Sequence, residues 1–238
     1  MAPLTINVSG ESIISRHPER AVLHLAVKSD GPEQETVSKD VTTTSNDLHQ
    51  LFKGLSPKND NGYSDVDAAV TTFSSTLLRT WSIVPTDDKN KPLNRVHYAT
   101  SSFEVIFRDF NKLSEIAGML VAHPKVEINS IDWRLTDATK TALGSESRRL
   151  AIRDAVHKAN DYAEVIGQEV VAVEINDGGS TSHVRARYML AAAPVSRARV
   201  FTSASPDMPE KDTALDLNPQ QIEFTGSVHV KFESVSEK

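Results

Sequence analysis

From Gly178 to Pro206 the chain carries no acidic residue, in a protein with 32 Asp and Glu against 26 Lys and Arg and a net charge of -6. Within this stretch lie His183, Arg185, Arg187, Arg197 and Arg199. Arg185 and Arg187 are two apart, so on a strand both point the same way, and Arg197 and Arg199 repeat the arrangement. The forked guanidinium fits carboxylates and phosphates, so these five residues are candidates for holding an anion or docking a partner. The plainer reading is a solvated hairpin or loop whose arginines pair with neighbouring Asp and Glu. Nucleic acid is the weakest fit, because the rest of the chain is acidic and few aromatics interleave.

Other chemistry is sparse. None of the eight histidines has another within five residues, so there is no zinc-binding helix of the HExxH kind. No P-loop, no GxGxxG after a strand and no GxSxG elbow occurs, and no cofactor is expected. His24, His97 and His229 fall on strand-like segments, each sharing a face with polar or small residues. Surface or edge positions account for them, while a Ser/His/Asp site assembled from distant segments stays open. The loop Asn59 to Asp67 has calcium-loop composition without EF-hand spacing or a closing Glu, and reads as a turn. With no cysteine there is no disulfide, thiolate ligand or cysteine nucleophile. Asn7-Val8-Ser9 is a formal glycosylation sequon, to which nothing is attached without a secretion signal.

The elements that must position these residues are clearer. Leu4, Ile6 and Val8 alternate with polar residues, and Gly10 closes that run as a strand. Ala21 to Lys28 is a second strand, broken at Gly31-Pro32. Glu33 to Leu55 reads as a helix with Val37, Val41, Leu48, Leu51 and Leu55 on one side. Two long strands, Ala69 to Val84 and Leu93 to Arg108, flank a tip at Pro85–Pro92. Asp109 caps a short helix bearing Phe110, Leu113, Ile116, Ala117 and Leu120. Val126 to Leu135 is a strand whose apolar phase switches near Asn129-Ser130.

The helix ending at Gly167 organises the rest. Ala151, Ala155, Ala159 and Ala163 recur every four residues, a ridge small enough to lie close on a flat sheet, and Ile152, Val156, Tyr162 and Ile166 widen it into a stripe. Its start falls between Asp137 and Ser145. Val170 to Ile175 is a strand, and a poorly patterned segment follows. Ile222 to Phe232 is the last strand, with Ile222, Phe224, Val228, Val230 and Phe232 on one face. The sum is an α+β fold, a mainly antiparallel sheet with helices on one face. The chain reads as a single domain, 1–238, with a long irregular or hairpin insertion at about 178–219.

No apolar run approaches the roughly 20 residues that a membrane span needs. The start, MAPLTINVSG, lacks a basic segment followed by an apolar core, so a cytoplasmic location is expected.

The order of several segments resembles the SIMPL-domain family, also called DUF541. The start INVSGES...HPERAVLHLAVKSDG, the middle YATSSFEVIFRDFNKLSEIAGML, the helix SRRLAIRDAVHKANDYAEVIG and the ending QIEFTGSVHVKFE follow the family's order from Ile6 to Glu233. The resemblance implies an α+β fold, a tendency to oligomerise and no established catalytic residues. Bacterial members of that family carry an export signal, which this start does not show. They are linked with oxidative-stress tolerance, and an animal relative with binding a receptor-associated kinase. The Pro85–Pro92 tip and the Gly178–Pro219 segment match no family pattern.

The expected function is therefore a non-enzymatic, protein-binding or oligomeric scaffold, possessing no cofactor, touching signalling or stress response. It is expected to be a homo-oligomer or to take a protein partner, with no nucleic acid and no membrane span. The alternative is a small-molecule, anionic-ligand-binding protein or enzyme using a sheet–helix cleft or the Arg185–Arg199 segment.

Overall fold

A computed structural model describes residues 4–59, 62, 64–65, 67–184 and 217–235. Among the described residues there are three helices and eight strands, the strands in antiparallel sheets, an α+β architecture. Contacts divide the described chain into two compact units, one drawn from 4–20, 133–184 and 219–235, the other from Ala21–Asp132.

The first unit is a three-stranded sheet under one long helix. Strands β1 (Thr5–Arg16), β7 (Val170–Val184) and β8 (Ile222–Ser234) lie in the order β1-β8-β7. Strand β8 pairs antiparallel with β1 from Ile6 opposite Phe232 to Arg16 opposite Ile222. Its alternation is the expected one, with Ile222, Phe224, Val228, Val230 and Phe232 all buried. Strand β1 runs straight through Gly10, which the sequence reads as its end. Gly10 is instead where the helix comes closest. A Cβ there would stand 1.9 Å from the Ala151 carbonyl oxygen and 2.8 Å from the Ala155 nitrogen.

That helix is α3 (Asp137–Ile166). The Thr136 side chain accepts a hydrogen bond from the Thr139 amide at its start, and Gly167 closes it at φ 72°. The alanine ridge is buried as expected: Ala151, Ala155 and Ala159 are fully covered and Ala163 nearly so. They pack with Ile6, Val228, Val230 and Phe232. The wider stripe is corrected, because Val156, Tyr162 and Ile166 are exposed and Ile152 is half-buried. Only side chains the size of a methyl fit a helix lying this close, so the large neighbours turn outward. Gly226 and Ser147 repeat the seam one turn away, with Ser12 Oγ and Ser147 Oγ hydrogen-bonded at 2.7 Å.

At the entry to this unit, Glu19 accepts bonds from the Thr136 amide at 2.7 Å, the Thr136 hydroxyl at 2.6 Å and the Thr139 hydroxyl at 2.7 Å. Burial pushes the Glu19 carboxyl up, but the Thr136 and Thr139 bonds and Arg20 outweigh it, so the group sits below its usual range.

The second unit carries β2 (Arg20–Gly31), α1 (Gln34–Leu55), β3 (Val70–Ser75), β4 (Arg79–Ile83), β5 (Val96–Phe107), α2 (Phe110–Val121) and most of β6 (Val126–Arg134). The sheet order is β3-β5-β2-β6, with β4 also on β5. Helix α1 buries Val37, Val41, Thr44, Leu48 and Phe52. Phe52, four residues on from Leu48, completes the stripe, and the expected Leu51 and Leu55 stay half-buried. Helix α2 buries Leu113, Ile116, Ala117 and Leu120, and the Asp109 carboxylate caps the Asn111 and Lys112 amides. In β6 the neighbours Asn129 and Ser130 are both exposed, which is the expected phase switch.

Two strand readings change. The single strand expected over Ala69 to Val84 is interrupted at Thr76–Leu78, leaving β3 and β4 in succession along the same side of β5. The Thr76 amide still reaches the Ser102 carbonyl at 2.8 Å, and the Thr76 hydroxyl accepts from the Ser102 amide. Strand β7 continues past Ile175 to Val184, with irregularities between Ala172 and Glu174 and between Asp177 and Ser180. Those breaks hide its alternation.

Candidate functional site

Burying one face of β8 presents the other. Glu223, Thr225, Ser227, His229 and Lys231 point away from the helix, and the register sets neighbours beside each. His229 lies between Ser9 and Asn176, Lys231 between Asn7 and Glu174, Thr225 between Ile13 and Thr181, and Glu223 between Ser15 and His183. The outcome is a polar ladder three strands wide.

Its centre is a serine–histidine contact: Ser9 Oγ and His229 Nδ1 are 2.8 Å apart. A hydroxyl within reach of an imidazole is the start of a nucleophilic site. Catalysis would need a group orienting the imidazole and donors for an oxyanion. Among the described residues no carboxylate bonds Nε2 of His229, and the ladder occupies the local backbone N–H groups. Nearby, Asn176 donates to Glu174 at 2.9 Å and Lys231 to Glu233 at 2.7 Å. The Glu233 bond and charge hold the Lys231 ammonium above its ordinary range. The depression here encloses about 180 Å³, below the 300 Å³ at which small-molecule pockets begin. The cluster works as cross-strand pairing on an open face.

His183 lies at the far end of this ladder, exposed on β7, with Nε2 3.1 Å from the Thr181 hydroxyl. That hydroxyl also meets Thr225 at 3.1 Å. Arg185, Arg187, Arg197 and Arg199, named with it as an anion or partner surface, lie outside the described residues. Elsewhere, His24 bridges β2 and β6 within the second unit, with Nε2 3.1 Å from Asp132 and Nδ1 3.9 Å from Glu104.

The second unit carries a feature of another kind, missed by sequence reading. The succession of β3 and β4 forms one edge of the sheet. From Val70 to Ile83 this edge holds one charged residue, Arg79, and no proline. Leu77 is 92% exposed at the interruption, and Leu78, Trp81, Ile83, Val84 and Leu93 are also exposed. Trp81 stacks on Tyr98 at 5.4 Å and 10°, and the Arg79 guanidinium sits 5.9 Å from the Trp81 ring centre. The strand tip beyond β4 is ordered by Asp87, which accepts bonds from the Lys89 and Lys91 amides at 2.9 and 2.8 Å. The sequence reads this stretch only as part of one long strand over Ala69 to Val84, and strand periodicity does not say which strand lies at an edge.

Among the described residues no group of three or more His, Asp or Glu could hold a metal ion, and no helix is long and apolar enough to cross a membrane. A sequence profile described as "SIMPL: Protein of unknown function (DUF541)" matches residues 6–232. No curated protein matches the chain.

Proposed function

The chain belongs to the SIMPL family, and from that premise we propose that it works by protein association, one copy joining another through the β3–β4 edge. The observation that carries this reading is the edge itself, on which no described strand lies. Soluble proteins blunt such edges with charge, proline or a covering element, because unpaired N–H and C=O groups template pairing with another chain. Here the edge offers Leu77, Leu78, Trp81 and Ile83 and a single arginine.

The occupant is a second copy. A strand laid antiparallel on its own copy generates a two-fold axis and a self-complementary contact. Pairing centred on Trp81 sets Arg79 of each copy against Ile83 of the other and stacks the two indoles. Burying each large side chain contributes about 1.5–3 kcal/mol before the costs of association.

Sedimentation velocity over a range of concentrations tests this with the double variant Leu77→Glu, Ile83→Lys. Both side chains are exposed, so the fold is retained and circular dichroism is unchanged. Wild type is expected to sediment as an oligomer and the variant as a monomer. A monomeric wild type, or a variant that assembles as before, refutes the reading.

A further inference from the structure

A cavity of about 670 Å³ opens where α1 ends. Its described walls come from the last two turns of α1, which supply His49 and Lys53, from Ser56 to Lys58 just beyond, from Gly62 and Ser64 of the loop, and from Thr71 to Phe73 of β3. The volume lies inside the 300–1,000 Å³ range of small-molecule sites.

The lining has a consistent chemistry. The Phe73 ring meets His49 edge-on at 5.1 Å and 74° and leans on Phe52 at 6.0 Å. Phe52 is fully buried, so this aromatic wall is anchored in the core of its unit. Around it stand two ammonium groups, Lys53 and Lys58, neither in an ion pair among the described residues. None of the described lining residues is Asp or Glu. Two unpaired cations and an imidazole sharing a cavity is unexpected in a chain of net charge -6, and an apolar wall behind them strengthens their field. Several wall hydroxyls are already engaged: Ser56 and Ser64 bond at 3.1 Å, and Thr71 donates to the Ile106 carbonyl at 3.1 Å. Among the described lining residues the donors left for a ligand are Lys53, Lys58, His49 and the Thr72 hydroxyl.

We infer that this cavity binds a small organic anion with a planar apolar body, its carboxylate or phosphate between Lys53 and Lys58 and its ring against Phe73. The site shares Thr71 to Phe73 of β3 with the association edge but not Leu77 or Ile83, so the Leu77→Glu, Ile83→Lys variant separates binding at the cavity from assembly.

Naphthalene-2-carboxylate is the probe, titrated into the full chain and followed by amide chemical shifts. The expected result is saturable movement of the Ser56, Thr72 and Phe73 amides, with a Kd on the order of 0.1–1 mM for so small a ligand. Naphthalene-2-carboxamide, matched in shape but neutral, should bind about tenfold more weakly, and so should the acid to Lys53→Ala, Lys58→Ala, since a charge-assisted hydrogen bond is worth about that factor. Both lysines are exposed, so the double variant keeps its fold. Absence of shifts at these amides, equal affinity for acid and amide, undiminished binding by the double variant, or inorganic phosphate binding as tightly as the aromatic acid would each overturn the inference.

Discussion

Replacing Gly10 with alanine adds one methyl group at the point where β1 passes under α3. The new Cβ would meet the Ala151 carbonyl oxygen at 1.9 Å, the Ala155 nitrogen at 2.8 Å and the Ala151 carbonyl carbon at 2.9 Å. All three are backbone atoms of a helix, so no side chain can rotate away. Restoring ordinary contact at 3.4 Å requires the helix to lift by about 1.5 Å, and a gap of even 0.5–1 Å forfeits a quarter to a half of each dispersion contact. The ridge of Ala151, Ala155 and Ala159 would lose its seat on Val228, Val230 and Phe232 together. The cost falls at the upper end for overpacking, about 3 kcal/mol. With a urea slope of about 2 kcal/mol/M, the midpoint should drop by about 1.5 M. Trp133 packs on the cluster of Ile14, Leu135, Leu143, Ile222 and Phe224 and so reports this unit. Its fluorescence, read in a Trp81→Phe background, keeps the measurement to one cooperative unit. Gly54→Ala is the control: nothing lies within 4 Å of its Cβ position, and because it sits on α1 of the other unit the Trp133 midpoint should not fall. An unmoved midpoint for Gly10→Ala would mean that the helix does not lie on Gly10, and the account of the seam would fail.

The carboxyl of Glu19 is held below its ordinary value of 4.5, so its contribution is present above that value and is lost as the pH falls through the depressed one. Glu19→Gln should therefore lower the urea midpoint at neutral pH and converge on wild type in acid; a difference that persists unchanged in acid assigns the effect elsewhere. Phe52 is fully buried between Phe73 and Phe103, and Phe52→Ala should cost about 3–5 kcal/mol by denaturation, whereas a loss under 1 kcal/mol would show that the cluster is not the core of its unit. Removing everything after Asn218 takes out β8, the strand between β1 and β7, and should leave an insoluble or unfolded product; a soluble truncation with the wild-type circular dichroism would sink that reasoning.

Much of this was legible because side-chain size and period act locally. The four-residue spacing of Ala151 to Ala163 identified the face of α3 that packs, and β8 announced its buried face by strict alternation. Gly10 was misread, because a glycine punctuating an alternating run looks the same whether it ends a strand or admits a helix against it. Only the partner surface, about 140 residues away in sequence, decides between those roles. Phe52 was passed over for Leu51 and Leu55 because all three apolar positions lie near one stripe of the helix. In β7 the bulges at Ala172/Glu174 and Asp177/Ser180 shift the phase, so period 2 is never visible for long. As for sites, Ser9 and His229 are 220 residues apart in sequence, and no spacing rule links them. The aromatic cavity had a weaker trace, because Lys53, Lys58 and Phe73 look like ordinary surface and strand residues until α1 and β3 are set side by side.

The antiparallel register of β1 with β8 has a consequence for how the protein is made. Strand β1 leaves the ribosome ahead of the other described strands, and the strand that completes its ladder follows roughly 200 residues later, about 10–40 s at typical rates of synthesis. Throughout that interval the nascent chain holds Ile6, Ile14 and a row of unpaired amides whose partner strand does not yet exist, and the described strands of the Ala21–Asp132 unit all emerge before it does. The Ala21–Asp132 unit is thus free to fold first, and the other unit is born as two halves separated in sequence. A chaperone or a pause in translation would act on β1 before release, and a premature stop would strand it permanently.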